Sequence, residues 1–204
     1  MASAKNIEAS MKHSDQTAPK AAEKILGVAR ELFYREGIRA IGVDEIVRKA
    51  GVTKPSLYRS FSSKDELAAS YLRQYDRDFW ARFDESVKKH PGDARRQIVD
   101  FLEGVGQRSQ KKRYRGCGMT NAAVEYPEEG HPARVVSEAN KKELRRRLRA
   151  MAAEMGARDP DVLGDGLLLL IEGAYISAQL FGPGGPSKAV ARNADLLIGA
   201  SVKN

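Results

Sequence analysis

The sequence predicts an all-α fold. A small three-helix head carries a helix-turn-helix, and a larger helical body follows, for about nine helices in all. Three observations predict this. Apolar residues recur at i, i+3 and i+4 in nearly every segment, and no window alternates as a strand would. Gly and Pro fall between the periodic segments as stops. No unit of about 20–50 residues repeats, which argues against a solenoid. The chain has 204 residues, 42% of them apolar and 30% charged. That is enough apolar material for a buried core and too much for a disordered chain.

Residues 1–19 mix Lys5, Glu8, Lys12 and Asp15 with small polar residues and hold no apolar run. They read as a loose arm without a secretion signal. The first helical stripe is Ile25, Ala29, Leu32 and Phe33, and Gly37 supplies its stop. Val43, Ile46, Val47 and Ala50 make a short second helix ended by Gly51. Thr53 offers an N-cap to a third, and Pro55 fits its first turn. Leu57 and Phe61 anchor that helix. Ser63 to Glu66 has capping-box spacing. From there Leu67, Tyr71, Leu72, Tyr75, Phe79 and Phe83 form one long stripe, closed by His90-Pro91-Gly92. Five further helices are expected over residues 94–110, 119–126, 131–155, 161–181 and 187–200. The most apolar holds the run Leu167 to Ile171. It is short of the ~20 residues a bilayer requires and contains Glu172, so it reads as a core helix. Together these suggest an arm at 1–19, a head at 20–66 and a body at 67–204, in a cytoplasmic protein.

The formal charge is +8. One cysteine and three histidines exclude a disulfide framework and leave no convincing metal site. No nucleophile–base spacing or phosphate loop appears, so neither catalysis nor a cofactor is expected. The excess charge lies in three clusters. Residues 48–64 hold five basic side chains and no acidic one, residues 111–115 hold four, and residues 141–149 hold six against Glu143 alone. Outside these clusters acidic residues outnumber basic ones. The first cluster coincides with two short helices joined through Gly51, the geometry that sets a second helix into a DNA major groove.

The residues Ile25 to Phe33, Gly37, Val43 to Val47, Ala50 to Phe61 and Ser63 to Leu67 closely resemble the TetR family of bacterial transcriptional regulators, over residues 21–72. Two positions depart from the family's habit. Gly42 stands where Thr or Ser is frequent, and Pro55 stands where Gly or Ala is frequent. The resemblance implies a DNA-binding head and a divergent ligand-binding body. It also implies a homodimer joined through the last two long helices and bound to a palindromic operator. On that basis Val43, Thr53, Lys54, Pro55, Ser56, Tyr58, Arg59 and Lys64 are the expected contacts to double-stranded DNA. Lys54 is the candidate for guanine O6/N7, while Tyr58, Arg59 and Lys64 are candidates for phosphates.

The body should then bind a small-molecule effector. Trp80, Phe83, Phe101, Met119, Asn121, Tyr126, Glu172 and Tyr175 are the expected pocket, an apolar wall with a few polar groups. Leu168, Ile171, Ala178 and Gln179, with Ala191, Ala194 and Ile198, are the expected dimer face. Each of these residues has an ordinary core alternative. Cys117 lies among Lys112, Arg113 and Arg115, where cations favour a reactive thiolate, so a redox-responsive regulator is an alternative. A dimeric scaffold without DNA binding is another. A membrane-surface helix over residues 144–149 is poorly supported, because its arginines lie all round the helix.

Overall fold

The structure is a computed structural model. It describes the backbone of residues 4–202 and the side chains of residues 20–202. Among the described residues there are nine α-helices and one short 3-10 turn. The helices are α1 Ala4–Glu36, α2 Val43–Ala50, α3 Lys54–Ser60, α4 Lys64–Lys89, α5 Ala94–Ser109, α6 Gly118–Glu125, α7 Pro132–Glu154, α8 Pro160–Phe181 and α9 Val190–Ser201. The all-α class and the helix order agree with the sequence reading. α1 differs from it. Its backbone is helical through residues 4–19, where a loose arm was expected. Ala4, Lys5, Glu8, Ala9 and Lys12 are all strong helix formers, a local signal that the absence of an apolar stripe obscured.

Caps fix most boundaries. Gly51 ends α2 in the left-handed conformation, at φ 64°, which glycine adopts without steric cost. Thr53 caps α3 by accepting from Ser56 N. Ser63 does the same for α4 from Glu66 N, at 3.0 Å. Asp93 and Asp159 cap α5 and α8. Each of these caps leaves one fewer unpaired N–H at a helix start.

In the head, Ile25, Ala29, Leu32, Phe33, Ile46 and Leu57 are buried together. That cluster runs without a break into the body. Phe33 meets Tyr71 of α4 edge-on, with ring centroids 5.8 Å apart. The head is therefore anchored on α4, and the expected boundary at residues 66/67 crosses a shared core.

Helices α7 and α8 approach closely at Gly164, where an added Cβ would lie 2.8 Å from the Arg149 backbone. Their flank is laced by ion pairs. Arg145 and Arg149 both hold Asp165, and Arg149 also reaches Asp161 at 2.7 Å. On the same helix, Arg146 and Arg147 hold Glu143, and Arg147 reaches Asp84 of α4. The third basic cluster is thus largely neutralised within the chain. Among the described residues, no helix is long and apolar enough to cross a membrane.

Candidate nucleic-acid interface

The left-handed Gly51 lets α3 turn away from α2. Val52 N then bonds back to Val47 O at 3.1 Å, which closes the turn. Leu57 is fully buried beneath α3, so rotation about that anchor fixes what α3 shows to solvent. Thr53, Lys54, Pro55, Tyr58 and Arg59 are exposed on it, and Arg48 and Lys49 are exposed on α2. A short network pre-orders this surface. The Thr53 and Ser56 hydroxyls lie 3.0 Å apart, and Arg59 donates to Ser56 Oγ at 3.0 Å. Ser56 itself is half-buried, as is Val43.

Two of the expected DNA contacts are engaged within the chain. Lys54 pairs with Asp44 at 2.7 Å, and that hydrogen bond raises its pKa. The ammonium, 50% exposed, keeps two further N–H donors beside the one that Asp44 accepts. Lys64 is half-buried and donates to the Arg39 carbonyl at 3.4 Å. Burial lowers its pKa, against the pull of Asp65 and Glu125. Neither partner was legible in the sequence, because Asp44 and Arg39 lie on other elements.

A latch joins head to body beside Lys64. Glu125, at the end of α6, accepts from Arg39 N at 2.8 Å. Arg39 also pairs with Glu128 at 3.1 Å and lies 4.8 Å from the Tyr126 ring. Tyr126 stacks on His131 at 3.9 Å, and His131 faces Asp65 at 3.5 Å. Tyr126, expected in the pocket, belongs to this latch.

The remaining expected pocket residues are scattered. Trp80, Phe83 and Phe101 pack with Phe79 in an edge-to-face aromatic cluster. Arg147 lies over the Trp80 ring at 4.1 Å. Met119 is fully buried in the core. Asn121 donates to the Arg115 carbonyl at 2.7 Å and holds the preceding loop. Glu172 is satisfied by Thr120 and Lys141. Tyr175 alone of the eight lines a cavity of about 290 Å³ between α1, α4, α5, the 110–117 loop and α8. The others satisfy the same helical spacing by packing, a distinction that spacing cannot make. Tyr34, Arg82, Arg108 and Arg113, none of them among the expected pocket residues, line that cavity too. Of these only Arg113 lies in the basic run at 111–115.

On α8 and α9 the elements expected at a dimer contact expose a different face. Ile171, Ala178, Ala194 and Ile198 are buried in the chain's own core, while Leu168, Gln179 and Ala191 are half-buried. The exposed stripe is Val162, Leu169, Ile176 and Leu180, with Leu169 72% and Leu180 71% exposed. Between α8 and α9 runs an apolar groove of about 570 Å³, lined by Leu169, Gly173, Ser177, Val190 and Leu197. A helix apolar nearly all round has two eligible faces, and the spacing selected the inner one. Cys117 is also buried, with Lys141 Nζ 3.5 Å from its sulfur.

Comparison with known proteins matches residues 25–71 to the family described as bacterial regulatory proteins, tetR family. The chain superposes on a TetR-family transcriptional regulator from Streptomyces coelicolor with a TM-score of 0.80 and 30% identity. That alignment covers 89% of this chain and 94% of that one. The HTH-type transcriptional activator FasR of Mycolicibacterium smegmatis is 46% identical over 52 residues, which is 26% of this chain and 24% of FasR. The HTH-type transcriptional repressor KstR2 of Rhodococcus jostii is 33% identical over 76 residues, 36% of this chain and 37% of KstR2. The chain therefore spans only about a quarter to a third of the length of these curated relatives.

Proposed function

The chain belongs to the TetR family of bacterial regulatory proteins, and from that premise we propose that it is a cytoplasmic, ligand-responsive transcriptional repressor. Residues 20–66 hold a palindromic operator, and residues 67–204 dimerise and bind a small-molecule effector. The observation that carries the reading is the exposed α3 surface of Thr53, Lys54, Tyr58 and Arg59 over a buried Leu57. A helix presented this way, with Lys54 at its N-terminal end and Arg59 in its last turn, suits the major groove. The outward stripe of α8 and its groove with α9 support a homodimer, since exposed apolar patches of this kind mark association sites. Two copies would bring two α3 helices to half-sites about one DNA turn apart.

The body cavity is built to influence the head. Tyr34, near the end of α1, lines the cavity. Its hydroxyl donates to the Gly116 carbonyl at 3.2 Å and accepts from Arg115 N at 3.1 Å. An occupant that shifts the 110–117 loop therefore acts on α1 directly. It acts on α6 as well, whose far end holds Arg39 through Glu125. Release from DNA then requires only that the occupant prefer one arrangement of these elements. The alignable relatives include an activator and a repressor, so the direction of control is a property of the operator and body rather than of α3.

The test is a footprint on the DNA flanking the chain's own gene, followed by affinity across a salt series. Tyr58→Ala with Lys64→Ala should weaken binding and reduce the log–log salt slope by ~0.9, the share of the one cation removed. Unchanged affinity and slope would sink the reading. A second reading, a redox-responsive regulator, is favoured by the Lys141–Cys117 contact. It requires that thiol oxidation alter DNA affinity and that Cys117→Ser abolish the effect.

A further inference from the structure

The cavity at Tyr175 differs from the basic run of α7. Its lining includes Arg82, Arg108, Lys111, Lys112 and Arg113 and no carboxylate. On α7, by contrast, Lys141, Arg145, Arg146, Arg147 and Arg149 each have a carboxylate partner. Among the described residues, none of the five cavity cations has a carboxylate oxygen within 4.0 Å. Glu85, Asp100 and Glu103 line an adjoining groove together with Arg82 and Arg108. Asp100 there is engaged by Ser86 at 2.6 Å and by Lys89 and His90. Arg82 and Arg108 thus line that groove as well as the cavity, and Lys111, Lys112 and Arg113 reach solvent at the cavity mouth.

A further observation points to an occupant. Arg82 Nε is removed from solvent and has no hydrogen-bond partner. A buried donor on a charged group is costly to leave unpaired, and native structures rarely do so without a ligand or ion. Arg113 has φ 62°, the one positive φ at a non-glycine among the described residues. Such a conformation in a bulky residue tends to collect at ligand sites. For Arg113 the turn closed by Tyr114 N on Lys111 O at 3.2 Å accounts for the conformation, whereas the unpaired Arg82 Nε has no such account.

The walls define the rest of the ligand. Tyr34 and Tyr75 stand nearly parallel, with centroids 6.4 Å apart and 25° between planes. Tyr114 and Tyr175 complete an aromatic enclosure. Burial raises the pKa of both phenols, so at neutral pH they are protonated and can donate hydrogen bonds. A volume of about 290 Å³ lies at the small end of ligand pockets. A planar carboxylate suits the guanidinium fork better than a point-like anion does.

We propose that the cavity bounded by Tyr34, Arg82, Arg108, Arg113, Tyr114 and Tyr175 binds a small aromatic carboxylate, the carboxylate on the arginines and the ring among the tyrosines. This rests on the reading of the body as an effector-binding domain and names the effector's chemical class. Carboxylate binding would draw Arg113 and Tyr114 toward Arg82 and Arg108. The same loop carries Arg115 and Gly116, which hold Tyr34 of α1.

The test uses the full chain with benzoate, salicylate and 1-naphthoate, each paired with its neutral primary amide. Binding is read by melting temperature and by calorimetry, and DNA affinity is read in parallel. Acids should raise the melting temperature in a concentration-dependent way, and the amides should not. Arg82→Gln and Arg108→Gln should each weaken acid binding by about tenfold to a hundredfold, the range for removing a charge-assisted hydrogen bond. The melting temperature of the unliganded variant shows whether it is folded, and the two arginines provide independent variants. Equal binding of acids and amides overturns the proposal, as does acid binding that survives both substitutions. If no acid binds but a neutral compound releases DNA, the anionic site is refuted and the sensing role stands. If acids bind through the arginines without changing DNA affinity, the site stands and the sensing role fails.

Discussion

Two glycine-to-alanine substitutions should change stability in opposite directions. Gly27 lies inside α1, is exposed, and has no atom within 4 Å of the position an added Cβ would take. Alanine there gains helix propensity without a clash, which stabilises by about 0.5–1 kcal/mol. Gly164 gains the same propensity inside α8, but its Cβ would stand 2.6 Å from Arg149 Cγ and 2.8 Å from Arg149 Cα and N. The Cγ contact could be relieved only by disturbing an arginine bonded to Asp161 and Asp165 at 2.7 Å. The two backbone contacts cannot be relieved without moving α7 itself. Overpacking of this kind costs about 1–3 kcal/mol and sometimes more. Backbone obstruction places it at the upper end, for a net loss of about 2 kcal/mol after the propensity gain. A chain of this length shifts about 2–4 °C per kcal/mol. Gly27→Ala should therefore melt about 1–4 °C higher and Gly164→Ala about 4–8 °C lower. Thermal unfolding followed by circular dichroism measures both. A Gly164→Ala protein as stable as Gly27→Ala would refute the close α7–α8 approach.

Charge introduced on the outward face of α8, as Leu169→Glu with Leu180→Glu, should yield a monomer by sedimentation while melting remains cooperative. The inward Ile171→Glu should instead abolish folding, because Ile171 is fully buried. Arg113→Gly removes a left-handed arginine and should hold or slightly raise the melting temperature, by at most about 1 kcal/mol of relieved strain, while weakening acid binding. Hydrogen bonds from Arg146 and Arg147 lower the Glu143 pKa from 4.5 to about 2. A depressed carboxylate stabilises above its unfolded pKa, and that contribution is lost as pH falls through the folded value. The melting temperature should therefore fall between pH 4.5 and about 2, and Glu143→Gln should flatten the curve in that window.

The helices were legible because their signals are local. Gly51, Thr53 and Ser63 declare their boundaries within a turn, and Leu57 declares its burial through its own periodicity. Orientation within the body was less legible. Ile171 and Leu169 lie two residues apart in an apolar run, yet one is in the core and the other 72% exposed. Only the neighbour across the interface decides between them.

Charge shows the same limit most clearly. In the sequence the clusters at 111–115 and 141–149 look alike, basic runs with at most one acidic residue. Folding separates them. Asp84, Asp161, Asp165 and Glu172, remote in sequence, come to α7 and neutralise it. No carboxylate comes within 4.0 Å of Lys111, Lys112 or Arg113 among the described residues. A basic run therefore states a demand for anions, and the tertiary contacts state whether the chain meets it. For the α7 run the demand is met internally, and the expected consequence is stability that depends on pH. For the head it is met in part, by Glu45 on Lys49 and Asp44 on Lys54, which leaves Arg48, Arg59 and Lys64 without a carboxylate partner among the described residues. At the cavity no described carboxylate comes within ion-pair distance, so the exposed cations at 111–113 are left to water and to whatever anion enters beside them.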